Sequence, residues 1–532
     1  MKRANKLYKY FLLGAAITFI AASCKKEAFV EENISPTTIY ELKPEDQFLR
    51  ASTSVVNDFE YYYDVYRRLN GWLQYTTEAA GNGSGFTEPG AQFNYRYGRF
   101  FGDVGYAVVD ALKIIESLPE DQKASYTNIK AISEILFAYY GFYVSDINGS
   151  IPFSEAFQAR YGGTLTPVYD DQQAIFSQAD ALIKGAVAAL EANAGDQVAL
   201  GRNDPFFGGD VTRWIRTGNA LRLKIALRLM KADPGTLTTI ANEVLADPMQ
   251  MESIADSWML KVGPTFADAG GNFNPTGFAA GRPVLEFMKE NEDPRLRMFY
   301  RTNKDGEYVG SFTSPDDAQL AANRPLYSTP DTLSQLQHRM FTPNYAYNGG
   351  DPGKGTGFYP LLTYAEYCFI RADLAARNIA GSDAETWYKN GVYASIDLYN
   401  QQARLAEVPD YVPVTEGEKD AYYAKADVKF DAAKATELIA VQAYLDFFRN
   451  PFEGWAWWKR TGFPNSTSVL PWTVLKSNGA VLPLARRASL QILPTTSLLY
   501  ENQAAAYSEM AQDPNFGQTP SDAFGRVWWD KP

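Results

Sequence analysis

Apolar residues return at helical spacing through most of the chain, and two polar, glycine-rich stretches interrupt them. Leu438, Val441, Leu445 and Phe448 fall at i, i+3, i+7 and i+10, one face of a helix that Asn450-Pro451 stops. Phe101, Val104, Val108 and Ile115 form one stripe, and Ile129, Ile132, Leu136, Tyr139 and Tyr143 form another. Leu118, Pro119 and Glu120 lie between them, so the two predict a helical hairpin. Gln172 to Leu190 and Asp210 to Met230 give a second pair. In the latter, Ala220, Leu223, Leu227 and Met230 run beside Leu221, Ile225 and Leu229, an apolar arc too wide to be covered from one side. Leu362 to Arg377 and Asp383 to Leu405 give a third pair, and Asp46 to Leu73, with Tyr61, Tyr62, Tyr63 and Tyr66, predicts one or two helices more.

The interruptions have turn chemistry. Thr76 to Gln92 holds Gly81, Asn82, Gly83, Ser84, Gly85, Pro89 and Gly90 and reads as a loop. From about residue 247 to 360 the helical signal nearly vanishes, and a loop of that length is functional or carries local structure. A short helix is expected near Pro283 to Glu290 and a hairpin around Asp305-Gly306; Asn303, Asp305 and Glu307 fit a tight turn better than an incomplete calcium loop. Helical hairpins joined by turns predict a mainly α, tetratricopeptide-like array with long irregular loop insertions at about 76–99 and 247–360.

Lys2, Arg3, Lys6 and Lys9 precede an uncharged run from Phe11 to Ala22, too short to span about 30 Å of hydrocarbon, and small residues then lead to Cys24. Residues 1–23 read as a signal peptide, 24–36 as a flexible tether and 37–532 as a single domain. The placement of Cys24 resembles a bacterial lipobox, which implies acylation and a membrane anchor. Glu27, Glu31 and Glu32 follow only after Lys25 and Lys26. Cys368 is then the only free thiol, in an apolar helical run that predicts a buried structural cysteine.

The formal charge is -12, and removing the four leader cations leaves 46 basic against 62 acidic residues, a balance that excludes phosphate backbones as partners. One histidine, His338, leaves no two-histidine metal site and argues against Ser-His-Asp machinery. There is no P-loop and no dinucleotide fingerprint, so no cofactor is expected.

The order Gln442, Leu445, Phe448, Glu453, Trp455, then Arg460, Thr461, Gly462 and Pro464 resembles the SusD/RagB family of outer-membrane nutrient-binding lipoproteins. Further landmarks agree: Trp214, Asn219, Leu221, Arg222, Lys224, Ala226 and Arg228; Thr363-Tyr364-Ala365-Glu366 with Arg371 to Ala375; and Arg486, Arg487 and Val527-Trp528-Trp529-Asp530 near the end. The resemblance implies a right-handed array of four helical pairs and a non-enzymatic lipoprotein, anchored in the outer membrane and facing the cell exterior. It also implies capture of an oligosaccharide and delivery to a SusC-like TonB-dependent transporter. Two other readings stay open on the same architecture: peptide cargo, or a structural scaffold without a small ligand.

Sugar rings present flat C–H faces and hydroxyl edges, so their sites combine aromatic platforms with amide, carboxylate and guanidinium groups. The first loop region offers Trp72, Tyr75, Phe86, Phe93, Asn94, Tyr95 and Arg96; the long insertion offers Trp258, Asn272, Phe273, Arg282, Tyr345 and Tyr347. Trp455, Trp457 and Trp458 belong to a core motif and are expected to be structural.

Overall fold

A computed structural model describes residues 42–89, 93–192, 195–263, 273, 275–346 and 353–532. The expected signal peptide, Cys24 and the expected tether lie outside the described residues, as do Asn272 and Tyr347. Pro44–Pro532 forms one compact unit. No helix among the described residues is long and apolar enough to cross a membrane.

Helices α1 (Pro44–Thr53) and α2 (Gly105–Ser117) pack on each other. Next come α3 (Thr127–Asn148) and α4 (Gln172–Glu191), then α5 (Val211–Arg228) and α6 (Pro234–Ala246). Each of these pairs is mutually packed, and α4 also packs on α5. Both faces of α5 are therefore covered, and Trp214, Ala220, Leu221, Leu223, Ile225 and Leu227 are all buried, as its wide apolar arc requires. Asp171 caps α4 and Asp210 caps α5 by accepting the N–H of Ala174 and of Arg213.

Four short strands organise the insertions. The strand β1 (Thr76–Glu78) pairs antiparallel with β3 (Phe278–Ala280), and β2 (Trp258–Val262) pairs with β4 (Gly357–Leu362). The first stitches the two loop regions together; the second closes the base of the long one. The helix expected near residue 283 is α7 (Arg282–Glu290). Around Gly306 there is no strand pair: Asn303 Oδ1 accepts from the N–H groups of Asp305 and Glu307, and this turn, itself bonded to the carbonyls of Asp331 and Thr332, replaces the expected hairpin.

Beyond β4, α8 (Tyr364–Ala376) and α9 (Ala384–Leu405) pack as a pair, followed by α10 (Glu416–Tyr423) and α11 (Ala435–Asp446), which lies on α8. Pro451 interrupts the chain after α11 but opens α12 (Pro451–Thr461), where its missing N–H costs nothing at the first helical position. Trp455 and Trp457 are fully buried on that helix. A two-residue hairpin pair, β5 (Lys476–Ser477) and β6 (Ala480–Val481), and α13 (Tyr500–Met510) complete the chain. The architecture is mainly α, in accord with the periodicity.

Charged residues from separate landmarks meet in the core. Arg228 donates to both carboxylate oxygens of Glu453, each at 2.9 Å, and to Asp146 at 2.8 Å. Lys224 lies 2.9 Å from Glu366 and 3.1 Å from Glu453. Arg460 reaches Asp373 at 2.5 Å, and Arg486 reaches Asp530 at 2.6 Å. Each buried charge thus finds its opposite on another helix or on the chain end, which removes most of the cost of burying it.

Candidate functional site

Tyr61, Tyr62, Tyr63 and Tyr66 occupy a π-helical segment, Glu60–Leu69. A second, Phe100–Val104, joins the short helix Tyr95–Arg99 to α2. Such wide turns concentrate at functional sites, and these two bracket the first loop region. Inward, Tyr61 and Tyr66 pack against Tyr359 and Phe341. Outward, Phe59 stacks on Tyr63 at 6.1 Å with their planes 2° apart, and Tyr95 stacks on both at 5.7 Å. Phe59 is 46% exposed and Tyr63 and Tyr95 are half-buried, so three rings form an open platform.

A cavity of about 490 Å³ adjoins it, lined in part by Asn57, Asn94, Tyr95, Arg99, Asp103 and Gln491. Arg99 donates to Asp103 at 2.8 Å. Asn94 Oδ1 and Arg99 Nε are buried and have no hydrogen-bond partner among the described residues, a cost of about 1–3 kcal/mol each.

Beneath the platform lies a polar anchor. Arg96 is buried between the rings of Tyr143 and Phe452, 3.5 Å from each centroid, and donates to Glu60 at 3.2 Å and to the Tyr143 carbonyl at 2.7 Å. Tyr143 donates to the same Glu60 oxygen at 2.7 Å. Burial raises the Glu60 carboxyl above its ordinary value against the pull of Arg96. Burial, and then the Glu60 charge, push Asp64 well up. Burial and then Asp64 raise the Tyr95 phenol, which stays protonated. Ground that is held this way fixes Asn94 and Tyr95 at the surface.

Only part of the expected site is present here. Asn94 and Tyr95 stand at the platform, but Arg96 serves as its anchor. Trp72, Tyr75, Phe86, Phe93, Trp258 and Phe273 are core residues and offer no free face. Trp72 stacks on Phe93 at 5.2 Å and donates to the Phe86 carbonyl at 2.7 Å; Tyr75 stacks on Tyr444 at 4.4 Å. Trp258 packs on Tyr139 and Trp214, and Phe273 on Tyr61 and Tyr359. The two strand pairs hold both loop regions on the array, β1–β3 beside Trp72 and Tyr75 and β2–β4 at Trp258 itself, so that their large rings are covered there. Arg282 donates to the Gly310 carbonyl and lies over Phe312, and Tyr345 packs on His338, both away from the platform. The periodicity missed Phe59, Tyr63, Arg99 and Asp103. The tyrosine cluster was the available signal, because in a helix the consecutive Tyr61, Tyr62 and Tyr63 cannot all face inward.

The geometry can stack and hydrogen-bond a neutral, hydroxyl-rich ligand. Among the described residues no cluster of His, Cys, Asp and Glu is placed to hold a metal ion.

Over residues 53–483 the chain matches the SusD-like family described as starch-binding and associating with outer membrane. Among solved structures, a chitin-binding protein aligns with a TM-score of 0.69 at 20% identity, covering 92% of this chain and 100% of that one. A chitin-binding SusD homolog from Flavobacterium johnsoniae gives 0.68 at 20%, covering 91% and 97%. A SusD homolog from Parabacteroides distasonis gives 0.68 at 18%, covering 92% and 98%. Comparison with curated proteins gives no match. The chain belongs to the SusD-like family, whose members bind their ligands and are not enzymes.

Proposed function

We propose that this protein is a lipoprotein, acylated at Cys24 and facing the cell exterior, that captures an oligosaccharide and delivers it to a SusC-like TonB-dependent transporter. The observation that carries the reading is the exposed stack of Phe59, Tyr63 and Tyr95 beside an amide- and guanidinium-lined cavity. Aromatic faces cover the C–H faces of a pyranose, while Asn94, Arg99 and Asp103 have the donors and acceptors for its hydroxyls. The family's description as starch-binding and the chitin-binding relatives support a glycan as cargo.

Calorimetry of the mature protein against malto- and chito-oligosaccharides tests this, with Tyr95→Ala and Phe59→Ala as variants. Each variant is expected to weaken binding by about 0.5–1.5 kcal/mol, the worth of one aromatic contact. Absence of binding across both series, with tight binding of peptides, replaces the cargo. Co-purification of a barrel transporter with the wild-type chain, retained by both variants, tests the delivery role separately.

A further inference from the structure

From the platform, a polar edge continues along the helix that starts at Tyr95. Tyr95, Arg99, Asp103, Tyr106 and Asp110 recur about once per turn through Tyr95–Arg99, Phe100–Val104 and the start of α2. Their contacts are continuous. Arg99 binds Asp103 at 2.8 Å, and Arg50 of α1 approaches the other Asp103 oxygen at 3.9 Å. The Arg50 and Arg160 guanidiniums each lie 5.3 Å from the Tyr106 ring centre, and Arg160 donates to Asp110 at 2.9 Å. The side chains of Arg50 and Arg160 are 48% and 47% exposed. At 1.5 Å per residue the edge from Tyr95 to Asp110 is roughly 22 Å long, longer than a mono- or disaccharide.

The partly exposed pairs of Asp103 with Arg50 and Arg99 add little to stability. Arg99, Asp103, Arg50 and Arg160 are, however, a strip of fixed donors and acceptors that begins at the wall of the cavity, and the buried Asp110 holds Arg160 in it. The strip offers edges for hydroxyl groups where the platform offers ring faces. We infer that the ligand is a linear oligosaccharide whose leading units stack on Phe59, Tyr63 and Tyr95 while the following units lie along this edge, their hydroxyls hydrogen-bonded by Arg50, Asp103 and Arg160. The inference rests on the glycan reading above and adds chain length as the property selected.

The test is calorimetry with malto- and chito-oligosaccharides from the disaccharide to the heptasaccharide, on the wild-type chain and on Arg50→Ala/Arg160→Ala. Wild-type affinity is expected to rise about tenfold from the trisaccharide to the heptasaccharide, the worth of one charge-assisted hydrogen bond. The double variant is expected to lose that gain and bind the trisaccharide as before. Arg50→Ala alone, which exposes no buried carboxylate, replaces the double variant if thermal unfolding shows that one to be damaged. Wild-type affinity indifferent to length, or a folded variant that keeps the gain, overturns the edge and leaves the platform standing. Loss of trisaccharide binding in a folded variant moves these arginines into the platform and overturns the inference too. Silence toward every oligosaccharide overturns both.

Discussion

Replacing Glu453 by Gln tests the buried charge network that joins α5, α8 and α12. Its carboxylate accepts two hydrogen bonds from Arg228 at 2.9 Å and faces Lys224 at 3.1 Å. Breaking a buried pair costs about 3–5 kcal/mol. The titration gives a second route to the magnitude: burial opposes ionisation of Glu453, but Arg228 and then Lys224 outweigh it and hold the carboxyl at about 2, against an ordinary 4.5. At ~1.4 kcal/mol per tenfold, that gap is worth about 3 kcal/mol. Because the folded value is depressed, this contribution is present above pH 4.5 and is lost as the pH falls toward 2. Glu366 has the opposite sign. Burial pushes its carboxyl up to about 8 despite Lys224, so its ionisation costs stability as the pH rises from 4.5 through 8. Gln at 366 keeps the shape of the neutral form, whereas Gln at 453 removes a charge shared by two cations. Urea unfolding at pH 7, followed by tryptophan fluorescence, is expected to show a loss of about 3 kcal/mol for Glu453→Gln and under about 1 kcal/mol for Glu366→Gln. Equal losses, or the larger one at 366, refute the assignment of the shared anion to Glu453.

Other predictions follow from single contacts. Arg96→Ala leaves Glu60 buried without its cation and is expected to cost about 3–5 kcal/mol in urea unfolding; Arg96→Lys keeps the charge but not the planar stack between Tyr143 and Phe452, and falls between. Gly281→Ala brings a methyl group to 2.0 Å from the Gln74 carbonyl oxygen, where β3 leaves for α7, and is expected to lower stability by about 1–3 kcal/mol in the same assay. His338, lowered to about 3 by burial and then by Arg301, stays neutral in the fold. Its contribution is complete above pH 6.5 and declines as the pH falls toward 3, so its NMR ring signals should show no titration between pH 5 and 8; a midpoint near 6.5 contradicts this burial.

Much of the array was legible because its signals are local. Stripes such as Ile129, Ile132 and Leu136, breakers such as Pro119, and caps such as Asp171 and Asp210 act within a few residues of themselves. The landmark charges were legible as a pattern but not as a network: nothing at Lys224 says that its partners are Glu366 and Glu453, far away along the chain. The site was the least legible part. Ring-rich loops predict a ligand surface only if the rings stay outside, and that depended on β1 finding β3 some two hundred residues later. That pairing sent Trp72, Phe86 and Phe93 inward and left the Phe59, Tyr63 and Tyr95 faces outside.

The same pairing explains how a platform set at the two ends of a loop region can bind without first having to become ordered. Thr77 donates to Ser311 at 2.6 Å and Asn82 to the Thr313 carbonyl at 2.9 Å, while Thr313 in turn donates to Gln74 at 2.9 Å. The first loop region is therefore tied to the second at several points, and Arg96 ties its far end to the helix that bears Tyr63. Ordering a loop on binding costs about 1–2 kcal/mol of backbone entropy per residue, more than one stacked ring returns. An exposed three-ring platform is useful for capture only if that ordering has been completed during folding. Arg96, held between Tyr143 and Phe452 and bonded to Glu60, supplies that rigidity from below.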